Sequence, residues 1–307
     1  MFPSAVDVPP EQRAGSELRL RYEDITPDGR LSTIAMPQAL GVGFWQTLAP
    51  RFGIGEARRE TGVVPILSRL ATRIGEGPIG MAAPVRIDAR FRLARVEEEG
   101  ATRRILLEVW ADLFAPRARV HGEPPEGAGE ELAVGSVYAE HVFTRPFAPP
   151  DRRRVVRLES GALAALELPV AAWGGPDALA DPPDGAEALD ADWVSDEAAI
   201  VFGLDHGDSN QHVNSLVYPR LFRDAALRHV TRHHAHLVGM DPLLVKVGDN
   251  AFRKPCFPGE RMRAELRAYR TASCEHGGRA CAVVARLLPE DGDELRGRVF
   301  GRLELGW

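Results

Sequence analysis

Four polar side chains that could serve catalysis, an acid, an imidazole and two amides, occur at alternate positions in one short stretch. Asp208, Asn210, His212 and Asn214 stand in the sequence DSNQHVN. In an extended chain alternate side chains point the same way, so an acid, an imidazole and two amides would face one space. Such a set supplies a general base and a group that orients water.

The elements around this stretch follow from the apolar pattern. This pattern predicts a short strand at residues 198–204, before the polar stretch. A helix is predicted to begin near Asn214 or Ser215, which are good helix caps, and to end at about His236. The backbone N–H groups at the start of that helix, near residues 214–216, would stabilise an oxyanion.

The motif also carries a family resemblance. Asp-x-Asn-x-His-Val-Asn, from Asp208 to Asn214 and followed by Tyr218, resembles the motif of hot-dog-fold acyl thioesterases. It is similar in particular to acyl-acyl-carrier-protein thioesterases of the plant fatty-acid type, which contain two hot-dog domains in one chain. The resemblance implies catalytic roles for Asp208, Asn210 and His212. It also implies an acyl-carrier-protein or coenzyme A thioester as substrate.

Several roles within the motif stay open. His212 is a candidate general base, while Asp208 either fixes the His or the Asn or is itself the base. Asn210 would orient the water or the carbonyl. Taken singly, Asp208, Asn210 and Asn214 are also the residues of an Asx turn and a helix cap.

One position departs from the family pattern. The plant-type thioesterases have a catalytic Glu directly before a Cys, and here Pro255 precedes Cys256. Proline is neither an acid nor a base, so Cys256 and Glu260 become two further candidates. Cys256 would be either a nucleophile beside His212 or a small buried side chain. Glu260 would be a replacement base.

The order of predicted elements occurs twice in the chain. The first half is predicted to contain a strand, a helix and four strands, at residues 17–22, 34–52, 63–74, 85–96, 104–114 and 134–144. After the helix that ends at about His236, the second half is predicted to contain four strands, at residues 243–250, 260–270, 279–288 and 295–305. Pro219 lies 182 residues after Pro37, and this offset without gaps superimposes the two patterns.

The same offset compares the polar stretch with the first half. The residues opposite Asp208, Asn210, His212 and Asn214 are Thr26, Asp28, Arg30 and Ser32. The first half therefore lacks the imidazole and the amides, and we expect one reactive half and one degenerate half.

These patterns predict an α+β fold of two tandem hot-dog domains, each an antiparallel sheet wrapped around a long central helix. The predicted divisions are a lead-in at 1–16, a first domain at 17–148, a linker at 149–195 and a second domain with the candidate site at 196–307. The two domains would form an internal pseudo-dimer with sheets paired edge to edge. Further homo-oligomers are an alternative.

Composition narrows the classes of function. A net charge of −6 argues against general nucleic-acid binding, and no apolar run reaches the roughly 20 residues of a membrane span. The first residues lack the basic start and the apolar core that a secretory signal would have. Three cysteines, a small and odd number, favour a reducing cytoplasm. No cofactor or metal is expected, although His229 and His233 at helical spacing would either share a metal or favour a helix C-terminus.

The leading function is hydrolysis of an acyl thioester to a free acid, which makes the protein an enzyme. One alternative is a non-hydrolytic reaction on the same class of substrate, such as dehydration or acyl transfer. A second is a non-catalytic acyl-binding protein. An enzyme predicts access to His212, whereas a binding protein predicts that His212 is sealed or hydrogen-bonded away.

Overall fold

The computed structural model describes residues 2–159, 161–237, 244–271, 280–290 and 296–306. Its contacts divide the chain into two compact units, Met1–Trp173 and Gly174–Trp307. The division falls inside the Pro- and Gly-rich stretch predicted as a linker. That stretch therefore belongs partly to each unit.

The first unit contains a five-stranded antiparallel sheet. Its strands are β1 (Arg13–Leu18), β2 (Val64–Ile74), β3 (Val85–Glu98), β4 (Ala101–Pro116) and β5 (Glu131–Thr144), in the order β1-β3-β4-β5-β2. The four long strands lie where their alternating apolar residues predicted them. The first strand was predicted at residues 17–22 and lies at Arg13–Leu18 instead, because residues from Arg13 onward pair with β3. This edge strand is polar on its outer positions, so its apolar signal is weak.

The helical part of the first unit is broken, and the prediction of one continuous helix was wrong. It consists of α1 (Gln38–Leu40), a π-helical segment (Gly41–Trp45), α2 (Leu48–Arg51) and α3 (Ile54–Thr61). Pro50 has no N–H to donate to a preceding turn, so it lies in the first turn of a new helix. Gly53 then adopts a left-handed φ of 70°, which separates α2 from α3.

The second unit repeats this arrangement. It contains α4 (Val217–His233), three short strands β6 (Glu187–Ala188), β7 (Val194–Ser195) and β8 (Ile200–Val201), and four longer strands β9 (Leu244–Phe252), β10 (Arg261–Arg270), β11 (Ala280–Pro289) and β12 (Val299–Gly306). The short strands pair with β10, and the order continues β10-β11-β12-β9. This is the order of the first unit, with an interrupted edge strand in place of β1.

One predicted strand of this unit is corrected by the structure, and the starts of three others cannot be compared with it. The strand predicted at 198–204 is reduced to Ile200–Val201, since the chain turns into a short 3-10 helix at Leu204–His206. The predicted strand starts at Leu243, Arg279 and Leu295 lie outside the described residues.

One face of α4 forms the core of the second unit. Tyr218, Phe222, Ala226 and Val230 recur at helical spacing and are buried. The Phe222 ring lies against the backbone of β12, where a Cβ on Gly301 would come within 2.5 Å of it. This close packing fixes the position of α4, and with it the loop that leads into the helix.

The remaining helices are short. They are 3-10 turns at Pro10–Gln12, Tyr22–Asp24, Pro150–Arg152, Ala162–Ala165, Pro176–Ala180 and Ala235–Leu237. In the described part of the chain, no helix combines the length and the apolar character that crossing a bilayer requires.

Candidate active site

The polar stretch forms a closed turn, not the extended chain that its alternating pattern predicted. Gly207 and Val213 form an antiparallel bridge across it. Inside the turn, the Asp208 N–H donates to the His212 carbonyl at 3.0 Å, and the Gln211 N–H donates to the Asp208 carbonyl at 2.9 Å. The chain reverses at Gln211, which has a left-handed φ of 66°. The turn therefore brings Asp208 and His212 together across its base.

The imidazole of His212 is accessible and has a carboxylate beside it. His212 Nδ1 lies 3.9 Å from Asp208 Oδ1, and the two side chains are 40% and 24% exposed. The Phe257 ring meets the imidazole edge-on, with centroids 6.2 Å apart. At 3.9 Å the carboxylate is too far away to hydrogen-bond the ring, but it would stabilise a positive charge there. The turn therefore presents an accessible imidazole with a carboxylate as its neighbour.

The Asn210 amide is exposed at the tip of the turn. The backbone N–H of Asn210 donates to Asp208 Oδ1 at 2.8 Å, so the predicted Asx turn is present. That bond uses the backbone of Asn210 only. Within the described residues, its side-chain amide has no hydrogen-bond partner and is available to a ligand.

The helix after the turn begins at Val217, later than predicted. Leu216 is its N-cap and no described side chain caps it. Asn214 Oδ1 accepts the Leu216 N–H at 2.8 Å, which forms an Asx turn directly before the helix. The Asn214 N–H itself donates to the His206 carbonyl at 2.8 Å. Of the three predicted oxyanion donors, the Ser215 N–H alone has no partner in the part of the chain that the structure describes.

A buried polar pair lies behind the turn and joins α4 to the loop after β9. Cys256 is completely buried, and its N–H donates to the Tyr218 hydroxyl at 3.3 Å. Burial raises the pKa of the Cys256 thiol. Burial, reinforced by the neighbouring Cys256, also raises the pKa of Tyr218. A protonated, buried thiol favours the structural interpretation of Cys256 over the nucleophile.

Glu260 forms an ion pair. Its Oε1 and Oε2 lie 2.9 and 3.0 Å from Arg298 Nη1, and its Oε2 accepts the Phe257 N–H at 2.8 Å. This arrangement holds the loop before β10 to the start of β12. Pro255, at the position of the family's Glu, is exposed. Arg298 and Phe257 were not predicted from the sequence, and no local pattern marks an arginine 38 residues from its partner.

The same turn occurs in the first unit, 182 residues earlier. An antiparallel bridge between Ile25 and Leu31 closes it, as Gly207 and Val213 close the second. Three backbone hydrogen bonds of the first turn have an equivalent in the second. Thr26 N–H to Arg30 O corresponds to Asp208 N–H to His212 O, and Gly29 N–H to Thr26 O corresponds to Gln211 N–H to Asp208 O. Ser32 N–H to Asp24 O corresponds to Asn214 N–H to His206 O. The predicted ungapped repeat is therefore present in the backbone.

The side chains of the first turn engage one another. The Thr26 hydroxyl hydrogen-bonds Asp28 and also donates to the Arg30 carbonyl at 3.0 Å. Arg30 Nε lies 3.2 Å from Asp28 Oδ2. The first turn thus uses its polar groups internally, whereas the second exposes an imidazole and an amide.

Comparisons with known proteins bear on the fold. No protein-family model matches the sequence, and no curated protein matches it. Among solved structures, an acyl-ACP thioesterase from Bacteroides thetaiotaomicron VPI-5482 is 13% identical with a TM-score of 0.56, over 96% of this chain and 98% of that chain. A putative oleoyl thioesterase from Lactobacillus plantarum is 15% identical with a TM-score of 0.59, over 96% of each chain.

A third similar structure is the 12:0-ACP thioesterase from Umbellularia californica. It is 13% identical with a TM-score of 0.51, over 96% of this chain and 94% of that chain. Identities this low establish a shared fold and nothing about the reaction. Like these acyl thioesterases, the chain has the fold that its motif predicted, two hot-dog domains in tandem.

Proposed function

We propose that the protein hydrolyses acyl thioesters to a free acid and a thiol, and that the reaction takes place at the turn formed by residues 207–213. One observation carries the proposal. The chain builds the same turn twice, and the second copy alone presents an accessible imidazole next to a carboxylate. The thioesterase structures that share the fold support the choice of substrate class.

In the proposed reaction His212 acts as the general base. It takes a proton from a water molecule while the oxygen of that water attacks the thioester carbonyl. The Asp208 carboxylate, 3.9 Å from the ring, stabilises the imidazolium that forms. The carbon–sulfur bond then breaks, and the thiolate takes the proton from His212. Thiolate is a good leaving group, so no stronger acid is required.

Two further groups would position the reactants. Within the described residues the Ser215 N–H, between the turn and α4, has no partner and would donate to the carbonyl oxygen as negative charge develops there. The exposed Asn210 amide would orient the attacking water. Cys256 and Glu260 hold the loop that carries Phe257 beside His212, and we assign them no step in the reaction.

The acyl carrier would be an acyl carrier protein or coenzyme A. The motif resemblance favours the carrier protein, and two of the similar structures are described as thioesterases of that class. The free cysteines Cys256 and Cys281 support a reducing compartment, which we propose is the cytoplasm.

Thiol release from a panel of acyl-coenzyme A and acyl-carrier-protein thioesters tests this proposal. We expect the wild-type protein to release thiol and free acid in equal amounts from at least one member of the panel. Mass analysis of the same reactions separates the alternatives. An acyl group that loses water while still bound to its carrier would indicate dehydration, and one that moves to another acceptor would indicate transfer. Binding without any change would indicate an acyl-binding protein, and each of these three results would contradict hydrolysis.

A further inference from the structure

A second polar cluster lies at the far end of α4. His229 Nε2 is 2.7 Å from Asp190 Oδ2, and His234 Nε2 is 2.8 Å from Asp190 Oδ1. The three side chains are each exposed by less than a tenth of their surface. Their three ligand atoms lie within 4.8 Å of one another. Two imidazoles and one carboxylate therefore converge in a buried place that the proposed reaction does not use.

The carboxylate is held in position from its other side. The Ala268 N–H on β10 donates to Asp190 Oδ2 at 2.6 Å, and Arg267 Nε donates to the Asp190 carbonyl at 3.0 Å. His229 belongs to α4, and His234 directly follows that helix, with its N–H bonded to the Val230 carbonyl. The three side chains are thus carried by a helix end and by a segment fixed to the sheet.

This donor set is the one that zinc and similar divalent ions prefer. Zinc binds imidazole nitrogen and carboxylate oxygen at about 2.0–2.2 Å, which places tetrahedral ligand atoms roughly 3.3 Å apart. The present nitrogen–oxygen distances are 2.7 and 2.8 Å, to the two different oxygens of Asp190. To admit an ion, both rings would have to move away from the carboxylate by about half an ångström. An imidazole that binds zinc through Nε2 carries its ring proton on Nδ1.

We propose that Asp190, His229 and His234 bind one zinc ion. The sequence predicted no metal, and its alternative paired His229 with His233. In the structure His233 is exposed, with its ring centroid 5.0 Å from that of His229. It is an accessible first contact for an incoming ion, and the fourth position is left for it or for water. A bound ion would fasten the segment around Asp190 to the end of α4.

Zinc content tests this site directly. The full-length protein is incubated with zinc chloride, separated from free zinc by gel filtration, and analysed for bound metal. We expect about one zinc per chain for the wild type and for His236→Ala, an exposed histidine of the same segment. We expect close to none for His234→Ala and Asp190→Asn. A wild type without zinc, or an equal loss in His236→Ala, would overturn the proposal.

Two measurements on the wild type guard against variants that fold poorly. Cobalt(II) bound in a tetrahedral nitrogen and oxygen site gives strong visible absorption, whereas the aqueous ion absorbs weakly. Zinc that binds the folded chain also raises the Tm, by several degrees at concentrations well above the Kd. If cobalt keeps its aqueous spectrum and zinc leaves the Tm unchanged, the three side chains only hydrogen-bond one another and bind no metal.

Discussion

The two turns at residues 25–31 and 207–213 share one backbone and carry two different sets of side chains. Main-chain hydrogen bonds, an antiparallel bridge and one left-handed residue define each of them. None of these features depends on the residue types at positions 208, 210 and 212. The comparison shows that the backbone of the turn is a feature of both units, whereas the candidate catalytic side chains occur in the second copy.

The left-handed position shows how the two copies differ in strain. Gly29 has a φ of 83°, which glycine adopts without cost, and its counterpart Gln211 has a φ of 66°. Non-glycine residues in this region are uncommon and often occur at functional sites. The strained member of the pair is the one in the turn with the accessible imidazole.

The two units also differ in the surroundings of their buried histidines. We expect the largest effect of this difference on the stability of the protein at low pH. His229 Nε2 pairs with Asp190, whereas His141 on β5 is buried against Trp45 and its Nδ1 has no hydrogen-bond partner among the described residues. Burial lowers the pKa of His141 to about 4. The unfolded chain takes up a proton below about pH 6.5 and the folded chain does not, so stability falls as the pH drops from 6.5 towards 4.

The expected loss from His141 is about 3 kcal/mol by pH 4. Chemical denaturation of the wild type and of His141→Leu, at pH 7 and pH 4.5, measures it. Other groups titrate equally in both proteins, so the wild type should lose more stability than the variant. Equal losses would mean that His141 is already protonated in the folded chain.

Adding a side chain at Gly29 should be the next largest effect. A Cβ there would come within 2.7 Å of Pro78 Cβ and would also occupy a left-handed φ. We expect Gly29→Ala to lower the free energy of unfolding by about 2 kcal/mol. Urea denaturation at neutral pH provides the value. A neutral result would show that the first turn is not held in the conformation that the comparison requires.

One side-chain hydrogen bond directly after each turn allows a matched test of smaller size. Asn214 Oδ1 accepts the Leu216 N–H at 2.8 Å, and Ser32 Oγ accepts the Ile34 N–H at 3.3 Å. We expect Asn214→Ala to cost about 1 kcal/mol of stability, a typical value for one hydrogen bond, and Ser32→Ala to cost less, because its hydrogen bond is longer. Denaturation of the two variants side by side checks the order, and the reverse order would contradict it.

Relieving the strained residue should have the smallest effect and the opposite sign. Gln211→Gly removes a left-handed side chain without disturbing the backbone of the turn. We expect it to raise the free energy of unfolding by roughly 0.5–1 kcal/mol. The Tm measured by calorimetry would report the gain. A loss of stability would mean that the Gln211 side chain makes contacts that outweigh its backbone strain.

Local patterns were enough to predict the long strands, most of α4 and the position of the turn. Alternation over ten or more residues identifies β3 to β5, and the buried face of α4 has helical spacing. The ungapped offset also placed Gly29 opposite Gln211, which is a signal for a left-handed residue that the sequence contained. The polar edge strand β1 and the break in the first helix had weaker signals, because edge pairing and close packing outweighed periodicity there.

The contacts that form the proposed zinc cluster and that hold the loop beside the candidate site could not be predicted, since they join residues distant in sequence. Asp190 and His229 are 39 residues apart, and Glu260 and Arg298 are 38 apart. The closure of the turn was missed for a related reason. Alternating polar residues were interpreted as an extended chain, while one left-handed residue reverses the chain and joins Asp208 to His212.

The central claim is that the second turn carries the chemistry and the first does not. Thiol release by His212→Ala and Arg30→Ala, which replace equivalent residues of the two turns, tests it most directly. We predict that His212→Ala lowers kcat by about 10²-fold or more, because the general base is lost. Arg30→Ala should stay close to the wild-type kcat, since the Arg30 side chain pairs with Asp28 of its own turn and has no step in the proposed reaction. Full activity in His212→Ala, or equal losses in both variants, would contradict the claim.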